Sequence, residues 1–590
     1  MDTNTEKQGR LDARRSSISR RQLLAGFAAT AGAAVLAACG GTTTATDTPK
    51  PVAAAAASAP AAIATTPPTV AAVSATVAPT VGISATTPLM MAAAPATTVV
   101  AAVVPAGKGK VLRMSRNSEP TSTFVGWSSE DNATEFTLMN IYDSLLRTTK
   151  DGQSVEPALA TKWDTSADGL IWTFALRDAK FSDGKAMTAN DVKVSLDMCR
   201  MGPRSQWKDT YKAIKDIVVV DDKTVKIVLT QPHPPLLAEL SMWTAAIMPA
   251  DLAMVIDQDG FNTFKTRGTG GYFCEGWKKG DPLILKKNPY YWKQPHNGPD
   301  EVRIEYLADD NTRVLKLQGG ETDVIDFVPL SQIQTLNTQG NVKAQAFIIQ
   351  TYFTLPMNLT IKPLDDKKVR QALNYALDKE AILKTVFFGQ AQFQNSPIPP
   401  GTYWDKSLKG YPFNLDKAKQ LMAESSVPKG FTYEQSIAAG NTVAQQVATI
   451  AKDQWAKIGV TVNINQIESG VLSAQRKEGK LMAWTGGWTN DMNDPTEIAN
   501  RILRGGTSTL GAYTRYNNPM LNDLINSADL EQDPKKREML YSQVQSIYLD
   551  DAPQVFIAYP PATAGWQTYV TGFNIDGLSF YRFEDVRVNK

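Results

Sequence analysis

The sequence predicts a mixed α/β protein with more than one lobe. The chain has 590 residues, and chains beyond roughly 250–300 residues usually divide into domains. Its composition, 43% hydrophobic and 20% charged, is typical of a globular protein. Segments with strand-like alternation and segments with helical periodicity follow one another along the chain, which favours α/β or α+β lobes over all-helical or all-β architectures.

The N-terminal segment is typical of an export signal rather than of folded structure. Arg20 and Arg21 precede a short Ala/Gly-rich apolar run, the pattern of twin-arginine export. The run ends in Leu36-Ala37-Ala38-Cys39 and resembles a bacterial lipoprotein box. By that resemblance, residues 1–38 are the signal peptide and Cys39 is lipidated, anchoring the protein to the outer face of the cytoplasmic membrane. The alternative is an ordinary signal peptide with an incidental cysteine.

Residues 39–108 are predicted to form a flexible tether. They consist mainly of Ala, Thr, Val and Pro with almost no charge, so they offer no regular apolar face to a core. The signal segment carries a net charge of +3, which leaves the rest of the chain close to neutral. A body without a basic surplus does not indicate a nucleic-acid-binding protein.

Patterned sequence begins near Val111. Alternating apolar residues after the turn Asp168-Gly169 predict a strand, with Leu170, Trp172, Phe174 and Leu176 on one face. The next segment predicts a helix whose N-cap is Thr188, with Asp191 completing a capping box. Residues 217–232 predict a hairpin closed by the polar turn Asp221 to Lys223.

The second half of the chain adds longer helical patterns. Residues 365–387 carry apolar residues at helical spacing and predict one long amphipathic helix. Residues 415–425 and 443–459 predict two more helices, and the second precedes the predicted strand Val460–Ile467. Mixed elements therefore continue through both halves.

The sequence contains no convincing catalytic or metal-binding motif. Cys199 and Cys274 have no CxxC partner and are interpreted as buried free thiols. His233 and His296 lie in proline-flanked or polar loops, outside any HExxH spacing. The glycines of residues 268–271 indicate a tight turn rather than a phosphate loop. The sequence therefore favours binding without turnover, with no metal or other cofactor.

Several stretches, taken in order, resemble the extracellular solute-binding proteins of family 5, the peptide/nickel class that serves ABC importers. The resemblance covers about 111–590, with departures at Gly271, where proline is common, and at Ser182, where histidine is common. The stretches are EPALATKWDTSADGLIWTFALRDAKFSDGKAMTANDVKVSLD, GTGGYF, NPYYW, NTRVLKLQGGETDV, PLDDKKVRQALNYALDKEAILKTVFFGQA and LDKAKQLMAES.

The resemblance implies a class II periplasmic-binding-protein fold of the large peptide-binding type. Lobe 1 would hold 109–348 plus 560–590, and lobe 2 would hold 349–559, with the ligand enclosed between them. The partners it implies are a small solute, expected to be a peptide, and a membrane permease. The protein is expected to act as a monomer.

The loop GGWTNDMNDPTE concentrates three carboxylates behind a tryptophan. Asp494, Pro495 and Glu497 are explained as a helix start, with Asp494 as N-cap and Glu497 at the third position. Asp491 has no such role, and either shapes an Asx turn or contacts a ligand.

The resemblance assigns Asp491 a ligand-binding role. In the peptide-binding branch, a similar Gly-Trp-x-x-Asp-x-x-x-Pro stretch binds the α-amino group of the peptide through its aspartate. Here that pattern falls on Gly487, Trp488, Asp491 and Pro495, so Trp488 would form a wall of the same pocket, unless it is simply a core residue. The softer candidates for the cleft are Asn490, Trp404, Thr269, Tyr272 and Glu119.

Three hypotheses follow for function. The first is a lipid-anchored receptor for di- or oligopeptides. The second is the same scaffold binding another solute, such as an oligosaccharide, for which the 12 tryptophans could provide stacking surfaces. The third is an exported hydrolase, which would turn its ligand over.

Overall fold

The computed structural model describes most of the chain after the predicted tether. The signal segment, the tether and the lipidation site Cys39 therefore lie outside the described residues. None of the helices in the described parts has the length and apolar character needed to span a bilayer. The described ranges are 110–129, 131–256, 264–506 and 511–590.

A seven-stranded mixed sheet joins the two ends of the described chain. Its middle strand, Val111–Arg116, pairs in parallel with Glu301–Tyr306 on one side and Val324–Asp326 on the other. All outer pairs are antiparallel. Parallel neighbours need long crossover connections rather than tight turns. Most of the first half of the chain therefore forms the connection from Val111–Arg116 to Glu301–Tyr306. Across the sheet, the strands are Val342–Phe347, Ala562–Gln567, Val324–Asp326, Val111–Arg116, Glu301–Tyr306, Leu283–Lys287 and Tyr272–Phe273.

An antiparallel four-stranded sheet forms within the first crossover. Its order is Ala160–Thr165, Ile171–Leu176, Thr224–Leu229 and Ile214–Asp221. This arrangement confirms the predicted hairpin at residues 221–224 and the alternating strand, in which Phe174 and Leu176 are buried. The predicted capping box of Thr188 and Asp191 is also present, at the start of the helix Ala189–Met201.

Two further sheets belong to the second half of the chain. One is antiparallel, in the order Gln392–Phe393, Gln554–Tyr559, Thr351–Pro356 and Gly486–Thr489. The other is parallel, in the order Val460–Ile467, Phe431–Ala438 and Ala483–Trp484. Two-stranded pairs complete the strands: Leu146–Thr148 with Val155–Pro157, and Val570–Thr571 with Arg587–Val588.

Helices flank these sheets. The α-helices are Asn132–Ile141, Ala189–Met201, Leu236–Glu239, Ala250–Ala253, Asp310–Gln318, Ile333–Asn337, Lys367–Tyr375, Lys379–Thr385, Leu415–Ala423, Thr442–Trp455, Ser469–Glu478, Thr496–Ile498, Gly511–Thr514, Pro519–Leu530 and Pro534–Asp551. Short 3₁₀ turns lie at Gly126–Ser128, Trp243–Ala245, Leu330–Gln332, Ala456–Ile458 and Phe583–Asp585. One π-helical segment occurs among the described residues. It spans Ala499–Leu503 and directly follows the helix Thr496–Ile498.

The prediction of one long helix over residues 365–387 is wrong. The structure has two helices, Lys367–Tyr375 and Lys379–Thr385. Asp378 starts the second helix because its carboxylate accepts a hydrogen bond from the Ala381 N–H at 3.0 Å. The apolar spacing continues through the break because both helices pack on the same core, so periodicity alone did not reveal it.

The buried side chains form several separate cores. The first and largest draws on residues 112–349 and 564–588, together with Met492. The second and third draw on residues 355–558 and 352–559, respectively. The chain passes between the first core and the other two near residue 350 and again near residue 560.

The predicted free thiols and the glycine turn are both confirmed. Cys199 and Cys274 are buried and unbridged, and burial raises the pKa of the Cys274 thiol to about 11. Residues 268–271 lead into the strand Tyr272–Phe273. A Cβ at Gly268 would lie 1.9 Å from the Ile141 carbonyl oxygen, so this close backbone approach requires glycine.

Candidate functional site

A cavity of about 740 Å³ lies between the first core and the other two. This volume falls in the range of about 300–1,000 Å³ that is typical of small-ligand sites. On the side of the first core it is lined by Asn132, Glu135, Trp207 and Pro560. The opposite wall is formed by Thr351, Tyr352, Phe353, Ser473, Arg476, Lys477, Gly487, Trp488, Thr489, Asp491, Arg501 and Tyr513.

The strand Gly486–Thr489 positions Trp488 on the cavity wall. It pairs antiparallel with Thr351–Pro356, which places Trp488 opposite Tyr352. A Cβ at Gly487 would lie 2.5 Å from the Tyr352 carbonyl oxygen, so the strands approach this closely only with glycine there. The indole side chain packs against the third core, and its Nε1 is buried without a hydrogen-bond partner. Trp488 therefore contributes both to packing and to the cavity surface.

Asp491 lies two residues beyond this strand, where the loop turns along the cavity. Its backbone N–H donates to Glu497 Oε2 at 2.8 Å, and the Met492 N–H donates to the same oxygen at 3.3 Å. Glu497 thus holds the preceding loop rather than serving only its own short helix, which corrects its predicted role. Among the described residues, no backbone N–H donates to the Asp491 carboxylate, so the Asx-turn alternative has no hydrogen bond to support it.

The carboxyl group of Asp491 lies near those of Glu497 and Glu135, and this favours protonation of Asp491. Burial and the neighbouring carboxylates of Glu497 and Glu135 raise the pKa of Asp491 well above its ordinary range, while Arg501 opposes this. Burial also raises the pKa of Glu497. A cationic group entering the cavity beside Asp491 would favour its ionised form, because an opposite charge within a few ångströms stabilises a carboxylate.

Arg501 connects the two sides of the cavity. It belongs to the π-helical segment Ala499–Leu503, and such segments occur frequently at functional sites. Its guanidinium carbon lies 4.3 Å from the ring centroid of Trp207. Trp207 is fixed in the first core by its Nε1 bond to the Ser129 carbonyl at 2.9 Å and by edge-on packing against Trp243. A cation–π contact therefore spans the two walls.

Asp494 has a structural role that combines a hydrogen bond to a helix start with an ion pair. Its Oδ1 accepts from the Thr496 N–H at 2.9 Å at the start of the short helix Thr496–Ile498, whose N-cap position is held by Pro495 rather than by Asp494 as predicted. Both carboxylate oxygens also accept from the Arg537 guanidinium, at 2.5 and 2.8 Å. Arg537 lies near the start of the helix Pro534–Asp551. The buried pair therefore ties the Asp491 loop to a long helix of the third core.

Two other predicted site residues lie near this loop but do not line the cavity. Asn490 is buried, and its amide donates to Gln350 Oε1 at 3.1 Å while its backbone N–H donates to the Gln350 carbonyl at 2.9 Å. Trp404 packs edge-on against Tyr559, and its Nε1 donates to Asn395 Oδ1 at 3.0 Å. Both side chains are engaged in holding the fold together.

The remaining predicted site residues lie within or upon the first core. Thr269 is fully buried and accepts from the Asp143 N–H at 3.3 Å. Tyr272 is also fully buried, and its hydroxyl donates to the Pro299 carbonyl at 3.0 Å. Glu119 accepts from the Gly280 N–H at 2.9 Å. The structure does not bring these three residues to the cavity that Asp491 and Trp488 line.

Sequence reasoning missed several cavity residues. Glu135 is a buried acid and the one charged residue of the helix Asn132–Ile141, and this contrast was a signal that could have been used. Arg476 and Lys477 lie in a run of charged residues near a helix end, which looks like an ordinary solvated surface in the sequence. Trp207 and Arg501 acquire their position only when two distant segments meet.

The two histidines lie in loops, as predicted. His233 pairs with Glu239 through Nε2 and Oε1 at 2.8 Å, and His296 Nε2 lies 2.8 Å from the Gly271 carbonyl oxygen. In the parts of the chain that the structure describes, no three His, Cys, Asp or Glu residues come together as a metal site.

The carboxyl cluster predicts that the ligand-free protein loses stability as the pH rises. A carboxyl group whose pKa is higher in the folded state stabilises the fold below its unfolded pKa of about 4, and this contribution is lost as the pH rises through the folded pKa. For one group the loss is at most about 1.4 kcal/mol per pH unit.

Chemical denaturation at pH 5 and pH 8 can measure this effect. The wild-type protein should lose more free energy of unfolding between these two values than Asp491→Asn, because asparagine does not titrate. Equal losses for the two proteins would contradict the raised pKa of Asp491.

The comparisons with known proteins place this chain among solute-binding proteins. The family model described as "Bacterial extracellular solute-binding proteins, family 5 Middle" matches residues 154–509. Heme-binding protein A of Haemophilus influenzae is 31% identical over 480 residues, covering 76% of this chain and 87% of that protein. The glutathione-binding protein GsiB of Pectobacterium atrosepticum is 30% identical over 503 residues, covering 82% of this chain and 95% of that protein.

A solved structure gives the same result for the fold. The periplasmic binding protein DppA from Helicobacter pylori, in complex with the peptide STSA, superimposes with a TM-score of 0.72 at 27% identity, covering 82% of this chain and 98% of that chain. The predicted two-lobed α/β fold is thereby confirmed. With the family model spanning more than half of the chain, this protein belongs to the bacterial extracellular solute-binding proteins of family 5.

Proposed function

We propose that this protein captures short peptides in the cavity between its lobes and delivers them to an ABC permease. The observation that carries the proposal is the buried Asp491 at the cavity wall, beside the carboxylate of Glu497, where a positive charge on a ligand would favour the ionised carboxylate. The α-ammonium of a peptide would supply that charge. Relatives described as binding glutathione and peptides support the same ligand class.

Charge at the cavity wall also favours a peptide over a neutral sugar. Burying a charged group without a partner is costly, and an oligosaccharide offers only hydroxyls to Asp491 and its neighbours. The aromatic residues Trp488, Tyr352 and Trp207 can pack against peptide side chains as well as against sugar rings.

We further propose that lobe 1 comprises 109–348 plus 560–590 and that lobe 2 comprises 349–559. The separate cores on either side of residues 350 and 560 support this division. Two crossing segments can act as hinges, so that closure encloses the ligand and opening releases it. We also propose twin-arginine export and lipidation at Cys39, which the pattern of residues 20–39 supports, and a monomer that binds without turnover.

Calorimetry with purified protein tests the peptide proposal. Trialanine with a free N-terminus should bind, and N-acetyl-trialanine should bind about 100-fold more weakly, because the acetyl group removes the ammonium that pairs with Asp491. Mass spectrometry should recover the peptide intact after binding. Equal affinities would overturn the role of Asp491 as an amine anchor, and recovery of cleaved peptide would indicate an enzyme.

A further inference from the structure

Gln350 lies in the first of the two segments where the chain crosses between the proposed lobes. It stands between the strands Val342–Phe347 and Thr351–Pro356, and its side chain is buried. A Cβ at Gly401 would lie 2.7 Å from the amide carbon Cδ of Gln350, which shows how closely the neighbouring loop encloses it. A buried amide needs hydrogen-bond partners within the protein, and those of Gln350 lie in both proposed lobes.

On the side of proposed lobe 1, Gln350 donates to the carbonyls of two touching glycines. Its backbone N–H donates to Gly577 at 2.7 Å, and its Nε2 donates to Gly152 at 3.0 Å. A Cβ at Gly152 would lie 2.8 Å from the Gly577 Cα, so the two turns pack against each other without room for a side chain. The two carbonyls therefore form a fixed pair of acceptors.

On the side of proposed lobe 2, Gln350 holds residues on both sides of Asp491. The Asn490 backbone N–H donates to the Gln350 carbonyl at 2.9 Å, and its Nδ2 donates to Gln350 Oε1 at 3.1 Å. Gln350 Nε2 also donates to Asn493 Oδ1 at 3.3 Å, and the same oxygen accepts from Thr402 Oγ1 at 2.7 Å. The loop that carries Asp491 is therefore tied to the crossing segment at two points.

The amide of Gln350 bonds to both proposed lobes at once. Its Nε2 carries two hydrogens, and its two acceptors are the Gly152 carbonyl in proposed lobe 1 and Asn493 Oδ1 in proposed lobe 2. The opposite amide orientation would bring Oε1 against these acceptor oxygens, so the hydrogen-bond network fixes the orientation. Separating the lobes would break one of the two bonds, because a single nitrogen cannot follow both partners.

Packing of the crossing segment does not by itself require this amide. The backbone bonds to Gly577 and from Asn490 hold the segment whatever side chain stands at position 350. The second crossing contains two prolines, at 560–561, which have no N–H to donate. The side chain of Gln350 therefore adds contacts whose common effect is to tie the residues around Asp491 to proposed lobe 1.

We propose that Gln350 is a positioning residue for Asp491, which makes recognition of the ligand's amine depend on closure of the lobes. With the lobes together, the amide holds the loop 490–493 against the Gly152 turn and fixes Asp491 at the cavity wall. With the lobes apart, the loop loses this restraint, and Asp491 is less well placed to pair with an ammonium. Gln350 does not itself line the cavity. This inference rests on the proposed lobes and on the proposed peptide-binding function.

Calorimetry with trialanine and N-acetyl-trialanine tests this role in Gln350→Met, which keeps the length of the side chain but removes the amide. Trialanine should bind about 10-fold more weakly, as expected for the loss of one or two buried hydrogen bonds. N-acetyl-trialanine should bind nearly as it does to the wild-type protein. The loss should appear mainly in the dissociation rate. Gln350→Glu, which keeps an acceptor for Asn490 but offers no donor, should lose at least as much.

A double-mutant cycle distinguishes positioning from general support of the fold. If Gln350 acts through Asp491, Gln350→Met should cause little further loss of trialanine affinity in the Asp491→Asn background. Gln345→Met is a matched control that should leave both affinities unchanged, because Gln345 is exposed on the strand Val342–Phe347. Thermal unfolding of each variant checks that its fold is intact.

Hydrogen exchange of the ligand-free protein tests the restraint without any peptide. The backbone N–H groups of residues 489–494 should exchange several-fold faster in Gln350→Met than in the wild-type protein or in Gln345→Met. Unchanged exchange would overturn the positioning role, as would equal losses of affinity for both peptides or full additivity with Asp491→Asn. If the wild-type protein bound neither peptide, the proposed function would be refuted, and hydrogen exchange would still decide whether the amide holds the loop.

Discussion

Asp491→Asn is expected to weaken binding of a peptide with a free N-terminus by about 100-fold, because one partner of an enclosed charge pair is removed. Binding of the N-acetylated peptide should change little, since that ligand has no ammonium to pair. Calorimetry of both peptides with both proteins forms a double-mutant cycle that isolates the interaction between the carboxylate and the ammonium.

Asp523→Asn provides a matched control for this substitution. Asp523 is exposed on the helix Pro519–Leu530, away from the residues that line the cavity. Its replacement should leave both affinities unchanged. If Asp491→Asn weakened both peptides equally, the effect would reflect a disturbed loop, and an unchanged affinity for the free peptide would show that another group binds the amine.

The second large effect is expected for stability rather than for binding. Asp494→Ala should lower the free energy of unfolding by about 3–5 kcal/mol, because it leaves the Arg537 guanidinium buried without its counter-ion. Both side chains are less than 10% exposed, and two hydrogen bonds join them. Urea denaturation of Asp494→Ala, Arg537→Ala and the double variant measures this directly. The double variant should be less destabilised than the sum of the two single variants.

An exposed ion pair supplies the comparison. Lys368 and Glu424 lie 3.2 Å apart, with side chains 47% and 46% exposed, and exposed pairs of this kind contribute about 0–1 kcal/mol. Lys368→Ala should therefore cost much less than Asp494→Ala. Similar costs for the two substitutions would show that the Asp494–Arg537 pair does not hold the loop to its helix.

Local elements were predictable where short-range interactions decide them. The capping box of Thr188 depends on residues three apart, and the hairpin at residues 221–224 on its own turn. The alternation that buries Phe174 depends only on the two-residue period of a strand. The break before Asp378 was missed because two helices packed on one core keep a continuous apolar pattern.

The candidate site was only partly predictable. Asp491 and Trp488 belong to one recognisable stretch, and the structure places both on the cavity. Thr269, Tyr272, Asn490 and other softer candidates were chosen by position in the chain, and the structure uses their polar groups for internal hydrogen bonds. Whether a polar residue faces a ligand or a neighbouring backbone depends on packing that local sequence does not encode.

The sequence alone determined the family, the mixed α/β character and the identity of Asp491 as the loop acid without a local role. The tertiary structure decided which residues accompany it. Glu135, Trp207, Arg476 and Arg501 reach the cavity from segments far apart in the chain. The interaction energies of the charged side chains depend on how far burial removes water and on the distance to neighbouring charges. Both are set by position in space rather than by position in the chain.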